Sequence, residues 1–378
     1  MPIKVLIIGN TSDDHLKRFA KYMDDLNKEK KVIIEAFNRN ELQKNDLFNK
    51  TYHIRNYFPK FFFKFSSTLN ALLNRINYLL SFSRVGKYDL INIHFLTFHS
   101  YILLPLYKRK SKKIMISPWG SDVYRIPTND LKEKARKIYK TVDYVSAPKI
   151  KFREDIQEVF SVPDYKIIDL AFGSENIDTL IDNESLSKVT AKKELSTENS
   201  FVITCGYNKH KAHNHLKIIH ALISVKETLP VNTVLFFPMT YGPSDDEYLN
   251  EIETKLKENH FTYTIFNQYL SSRDIMVMQK ATDLFICIQD TDANSATLQE
   301  YLLSGTNIIL GQWLRYPQFE EYGIPYWTTP SKDSLKNTLN EYFISPTKIS
   351  VPKELKEQIK NNAWSVKIKD WYNFYLSL

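Results

Sequence analysis

Glycine is scarce in this chain, with nine among 378 residues, against a usual share of roughly 7%. No G-x-G-x-x-G fingerprint occurs, so that route to a phosphate site is excluded. The glycines that remain are informative by position. Gly9, Gly120, Gly206 and Gly305 all fall at expected strand or helix ends. Cysteine is scarcer still. Cys205 and Cys287 lie in expected core strands, where they act as small apolar residues, and no disulfide framework is expected. No apolar run reaches the roughly 20 residues of a membrane span. The opening Met-Pro-Ile-Lys-Val-Leu-Ile-Ile-Gly reads as a strand entering a turn, not as a secretory leader. A cytoplasmic protein is the expectation. Disorder is excluded by a hydrophobic content of 43%. The net charge of +8 suits an anionic lipid or nucleotide ligand; nucleic acid is not an expected partner.

What is present is alternation. Apolar strands are expected at Lys4–Ile8, Val32–Phe37, Leu90–Phe95, Ile114–Ser117 and Tyr144–Ala147, with helical patterns between most of them. Leu16, Phe19, Ala20, Met23 and Leu26 mark one such helical face. The scheme repeats at Phe201–Cys205, Thr233–Pro238, Tyr263–Phe266, Leu284–Ile288 and Asn307–Leu310. This predicts an α/β chain of two doubly wound, Rossmann-like domains with a cleft at the carboxyl ends of their strands. The expected domains are 1–175 and 176–350, with a helical segment, 351–378, packing back on the first.

Chemistry concentrates after strand ends. Asp292 and Glu300 stand eight positions apart, about two helical turns. Between them Asn294, Ser295, Ala296 and Thr297 open a helix, offering capping groups and free amides to an anion. Sugar hydroxyls want carboxylates and a diphosphate wants a helix start, so this segment reads as a nucleotide-sugar site. Gly206-Tyr-Asn-Lys209-His-Lys211-Ala-His-Asn-His215 supplies the fixed positive charge, with Lys211 preferred to Lys209. Its histidines lack acidic or cysteine companions, so no metal is expected. In the first half, Asn10 follows the first strand, where an ordinary helix cap is an equal reading. His94 closes a strand, a position more often core than ligand-facing, although His is the usual acid–base partner. Trp119-Gly-Ser121-Asp122 forms a polar aromatic loop, with Asp122 available to hydroxyls and Trp119 as a wall.

Trp119–Tyr124, the basic loop 206–215, the run Pro238–Tyr241 and the Asp292-x7-Glu300 pair together resemble the GT-B glycosyltransferases. They resemble most the retaining transferases with a Glu-x7-Glu pair and the fucosamine-type transferase of enterobacterial common antigen. Asp292 stands where that family prefers Glu, and Tyr207 where it commonly has Arg. The resemblance implies a metal-independent enzyme with no cofactor beyond its nucleoside diphosphate sugar substrate. It implies ribose at Glu300, diphosphate at Lys211, and the sugar at Asp292 and the amides after it. His94 and Asp122 stand with Asp292 as candidate catalytic residues, and Asn10, Trp119 and Ser121 as acceptor-side residues. The acceptor would be a lipid-linked glycan or polysaccharide precursor. A non-catalytic GT-B partner subunit and a nucleotide-sugar epimerase are the rival readings.

One further run stands out. Tyr57-Phe58-Pro-Lys-Phe-Phe-Phe-Lys-Phe65 carries five phenylalanines and two lysines in nine residues, a composition suited to an anionic membrane surface. Contact through Phe58–Phe65 would make the protein peripheral on the inner face of the cell membrane. The stripe that follows, Leu69, Leu72, Leu73, Ile76, Leu79 and Leu80, reads instead as the core face of a helix.

Overall fold

The computed structural model describes residues 2–38, 47–59, 66–243, 245–292, 295–314, 316–323, 325–345 and 350–378. Through residue 173 the order is β1 (Ile3–Gly9), α1 (Asp14–Leu26), β2 (Val32–Asn38), β3 (Lys50–His53), α2 (Ser67–Ser83), β4 (Tyr88–His94), α3 (Phe98–Lys110), β5 (Ser111–Ser117), α4 (Ser121–Tyr124), α5 (Asn129–Thr141), β6 (Tyr144–Ser146), α6 (Lys151–Phe160) and β7 (Ile167–Ile168). From residue 174 come α7 (Glu175–Asp182), α8 (Lys188–Glu194), β8 (Phe201–Cys205), α9 (His215–Ser224), β9 (Thr233–Pro238), α10 (Asp246–Glu258), β10 (Thr262–Phe266) and α11 (Ser272–Ala281). β11 (Leu284–Cys287), α12 (Ala296–Leu303), β12 (Asn307–Gly311), α13 (Pro317–Glu320), β13 (Trp327–Thr329), α14 (Leu335–Ile344), α15 (Lys353–Lys360) and α16 (Trp364–Leu376) follow.

The chain divides into two compact units, Met1–Gly173 with Trp364–Leu378, and Ser174–Ala363. The segment expected as one block at 351–378 is therefore shared: α15 belongs to the second unit and α16 to the first. Each unit is built on one parallel sheet, ordered β3-β2-β1-β4-β5-β6-β7 in the first and β10-β9-β8-β11-β12-β13 in the second. The order reverses between β1 and β4, and again between β8 and β11. Such reversals open a crevice at the carboxyl ends of the flanking strands.

In the first unit, β1 is an unbroken apolar run, Val5–Ile8, buried on both sides as a central parallel strand must be. Helix α1 covers it with Leu16, Phe19, Ala20 and Met23. The same layer receives Trp364, Trp371 and Tyr375 from α16. Trp371 donates its indole N–H to the Ala171 carbonyl at 2.8 Å, and the Tyr375 hydroxyl accepts from the Asn92 amide at 3.1 Å. Gly173 makes this seam possible. A β-carbon there would stand 2.4 Å from the Trp364 α-carbon. The second unit buries Ile203, Leu235, Ile286 and Ile309 from its four central strands against α9, α10 and α14.

The stripe on α2 departs from expectation. Leu73 is 7% exposed, yet Leu72, Leu79 and Leu80 are 51%, 39% and 42% exposed. The buried face is instead Leu73, Asn77, Tyr78, Ser81 and Phe82. Asn77 and Ser81 turn inward because they are needed there: they accept the backbone N–H groups of Tyr57 and Arg55 at 2.9 and 2.8 Å. Of the aromatic run, residues 60–65 lie outside the described residues.

Candidate functional site

In the second unit the loops after β8 and β11 meet where the strand order reverses. Gly206 leaves β8 with φ +64°, and a β-carbon there would press 2.8 Å from His215 Nε2, so both the backbone and the space demand glycine. Three bonds lace the two loops. Gly206 N donates to Ile286 O at 3.0 Å, Asp290 N to Ala212 O at 3.0 Å, and the Asn214 amide to Ile288 O at 2.9 Å. Across this lacing the Tyr207 hydroxyl donates to Asp292 at 3.4 Å, and the Gln289 amide also donates to Asp292. The phenols of Tyr207 and Tyr316 are pushed up by burial and then by the negative charge of Asp292 beside them. Asp292 is thus a held carboxylate beside the basic loop.

The two lysines of that loop differ. Lys211 pairs with Asp245 at 2.8 Å and lies over the Tyr248 ring. That hydrogen bond raises its pKa and holds the Asp245 carboxyl low. Asp245 in turn caps α10 through Tyr248 N. The preferred diphosphate cation is therefore already committed to a helix cap. Lys209 anchors its backbone N–H on Tyr241 O at 3.0 Å and packs its stem on Gly242. Among the described residues its ammonium has no ion pair. His215 is buried, bonds Tyr248 through Nδ1 at 3.2 Å, and its pKa falls to about 4 because burial disfavours the charged ring.

Helix α12 follows the β11 loop. Ser295 caps it by accepting Leu298 N at 3.1 Å. Ala296 and Thr297 then supply the first amides, which an α-helix leaves without intrahelical acceptors. Asn294 lies outside the described residues. Glu300 does not join Asp292. It is buried, and its oxygens accept from Ser174 Oγ at 2.6 Å, Gln279 Nε2 at 2.6 Å and Asn176 Nδ2 at 3.2 Å. Two turns of helix carry Glu300 against α7 and α11, where these bonds anchor it in the core.

In the first unit the same logic corrects three expectations. His94 is fully buried and its ring packs among Phe19, Phe172 and Trp371 at centroid distances of 5.6, 5.6 and 6.1 Å. It is a core residue at the end of β4, not a ligand-facing one. Asp122 is also buried. Its two oxygens accept Leu96 N and Trp119 N, each at 2.8 Å, clamping the loop after β4 to the loop after β5. Burial raises its pKa against these amides. Asn10 spends its side-chain oxygen on Ser12 N at 3.2 Å, shaping its own turn.

The clamp borders a cavity of about 260 Å³ that composition did not reveal. Phe95, Leu96, Ile126, Pro127, Leu131 and Ile138 give it an apolar lining, with Ser121 and Arg125 at its edge. Trp119 packs nearby against Phe95 and His15. The cavity's signal in the sequence is slight: Ile126 and Pro127 just before α5, and Leu131 in its first turn. Tyr207, Gln289 and Tyr316, the neighbours of Asp292, were also missed; Gln289 was marked only by its place just past β11.

Residues 4–147 match the family model described as glycosyl transferase 4-like. No curated protein matches the chain. Among solved structures, HepE of Anabaena, crystallised in complex with UDP and glucose, is similar at 12% identity and a TM-score of 0.69, with 100% of both chains covered. Sucrose-phosphate synthase of Thermosynechococcus elongatus is similar at 13% identity and a TM-score of 0.68, covering 99% of this chain and 98% of that one. A glycosyltransferase from Rickettsia africae gives 12% identity and a TM-score of 0.66, covering 100% and 98%. The chain therefore has the GT-B fold, two Rossmann-like units each on a parallel sheet, with glycosyl transferase 4-like sequence in the first.

Proposed function

We propose that this protein is a glycosyltransferase that moves a sugar from a nucleoside diphosphate donor to a hydroxyl of a lipid-linked glycan or polysaccharide precursor. The observation that carries it is the meeting of Gly206–Asn214 with Gln289–Asp292 at the strand-order reversal of the second sheet, with the amides of α12 following directly. The donor sugar lies near Asp292. Lys209, rather than Lys211, and the amides of Ala296 and Thr297 take the diphosphate. The bond from the anomeric carbon to the diphosphate oxygen breaks, a bond to the acceptor oxygen forms, and the acceptor proton passes to the departing diphosphate. Preorganised positive charge at Lys209 and the helix start stabilises the departing diphosphate. The acceptor uses the apolar cavity beside Ser121. The Asp292-x7-Glu300 spacing supports a retaining outcome, and the composition of Phe58–Phe65 supports a peripheral seat on the membrane.

The test is incubation with a panel of nucleotide sugars, scored for free nucleoside diphosphate with and without a lipid acceptor. Release from one donor that rises with acceptor is the expected result. Binding without release points to a non-catalytic partner subunit. Conversion of the sugar without acceptor points to an epimerase.

A further inference from the structure

Helix α2 carries apolar residues on both faces. Leu73, Tyr78 and Phe82 are buried along with Asn77 and Ser81, while Leu72, Leu79 and Leu80 stand in solvent. Leu72, Ile76 and Leu79 are spaced by four and three residues, so they share one face. Among the described residues, no helix is long and apolar enough to cross a membrane. The face is suited to lie on an apolar surface.

The basic sequence in which the helix sits selects that surface. Residues 47–121 contain twelve Lys and Arg and a single acid, Asp89, so this stretch alone exceeds the +8 of the whole chain. Asp89 is itself taken by Lys112 at 2.7 Å. Helix α2 contains Arg75 and no acid. At its carboxyl end Lys110 bonds the Ser83 and Val85 carbonyls, which brings the basic last turn of α3 alongside. Along the same carboxyl-terminal half the backbone of Arg55 and Tyr57 is stitched to Ser81 and Asn77.

We propose that the outward face of α2 is a formed docking surface for an anionic lipid bilayer, lying flat with Leu72, Ile76, Leu79 and Leu80 in the acyl boundary and the surrounding cations at the headgroups. This deepens the membrane part of the proposed function and does not depend on the transfer chemistry.

The test uses the whole protein and vesicles of phosphatidylcholine with or without phosphatidylglycerol. Wild type is expected to sediment with the anionic vesicles, less so at high salt. The Leu72→Ser, Leu79→Ser, Leu80→Ser variant is expected to bind at least ten-fold more weakly with an unchanged thermal midpoint, because these side chains are exposed. A second reading avoids any folding defect. Leu79→Cys, labelled with a polarity-sensitive dye, should blue-shift on anionic vesicles only; Cys205 and Cys287 are buried and escape the label. An unshifted dye on vesicles that do bind the protein overturns the proposal and leaves the seat to Phe58–Phe65. Concentration-dependent self-association, lost in the triple variant and without vesicle binding, also overturns it, in favour of a second copy. Nucleoside diphosphate release, measured separately, reports on the transferase reading alone.

Discussion

Glu300 surrounds two oxygens with three donors, and that arithmetic makes it a structural residue. Glu300→Ala strands Ser174, Asn176 and Gln279 in a buried site, which costs about 3 kcal/mol. Denaturant titration should show that loss, with nucleotide affinity by calorimetry within a few fold of wild type. A stable variant that no longer binds nucleotide would restore the ribose contact. The two loop lysines divide in the opposite sense. Lys209→Ala should weaken nucleoside diphosphate binding about ten-fold, the worth of one charge-assisted hydrogen bond. Lys211→Ala, which loses an exposed pair, should leave both affinity and stability nearly unchanged. His215 gives a pH signature. Its pKa falls from the usual 6.5 to about 4 on folding, so below pH 6.5 the unfolded chain takes up a proton that the folded one refuses. Stability should therefore drop as pH falls through that window, by at most about 3 kcal/mol. His215→Gln should flatten this slope in denaturation curves taken across it. These residues were visible in sequence as charge beside glycine. Their partners were not, because Asp245, Ser174 and Gln279 lie far off in the chain, and spacing does not say whether a lysine or a carboxylate is already engaged.

Short elements carry the loops, and the clamp at Asp122 ties two of them. Replacing one acceptor oxygen by an amide sets N–H against N–H at either Leu96 or Trp119. Asp122→Asn should cost about 1–3 kcal/mol and loosen the cavity proposed for the acceptor. A fall in thermal midpoint with a raised acceptor KM would fit the clamp; lost turnover at unchanged stability would return Asp122 to the chemistry. At this scale sequence was most legible for central strands. β1, β8 and β9 were plain because parallel strands buried on both faces are unbroken apolar runs. β3, β7 and β13 were missed, and all three are sheet edges of two to four residues. The periodicity of α2 marks a helix, but its stripe is not the core face. An apolar stripe states which residues share a face, and only tertiary packing decides which face turns inward.

The first unit is discontinuous. Its core counts Trp364, Trp371 and Tyr375 among its largest buried side chains, and all come from beyond the second unit. A fragment of residues 2–173 should therefore be insoluble or molten, exposing apolar surface to a dye such as ANS. Joining Trp364–Leu378 to it through a flexible linker should restore a cooperative melt, whereas residues 174–363 should fold alone. The same layout sets an order of birth. As a chain leaves the ribosome its leading domain ordinarily folds first. Here residues 2–173 emerge first but wait, with α1 lacking its aromatic partner, while 174–363 is synthesised and closes on itself. Only when α16 appears does the opening half find its last wall. The first unit thus stays unfinished for as long as the second takes to be synthesised, which makes that interval the natural point for a chaperone to hold it.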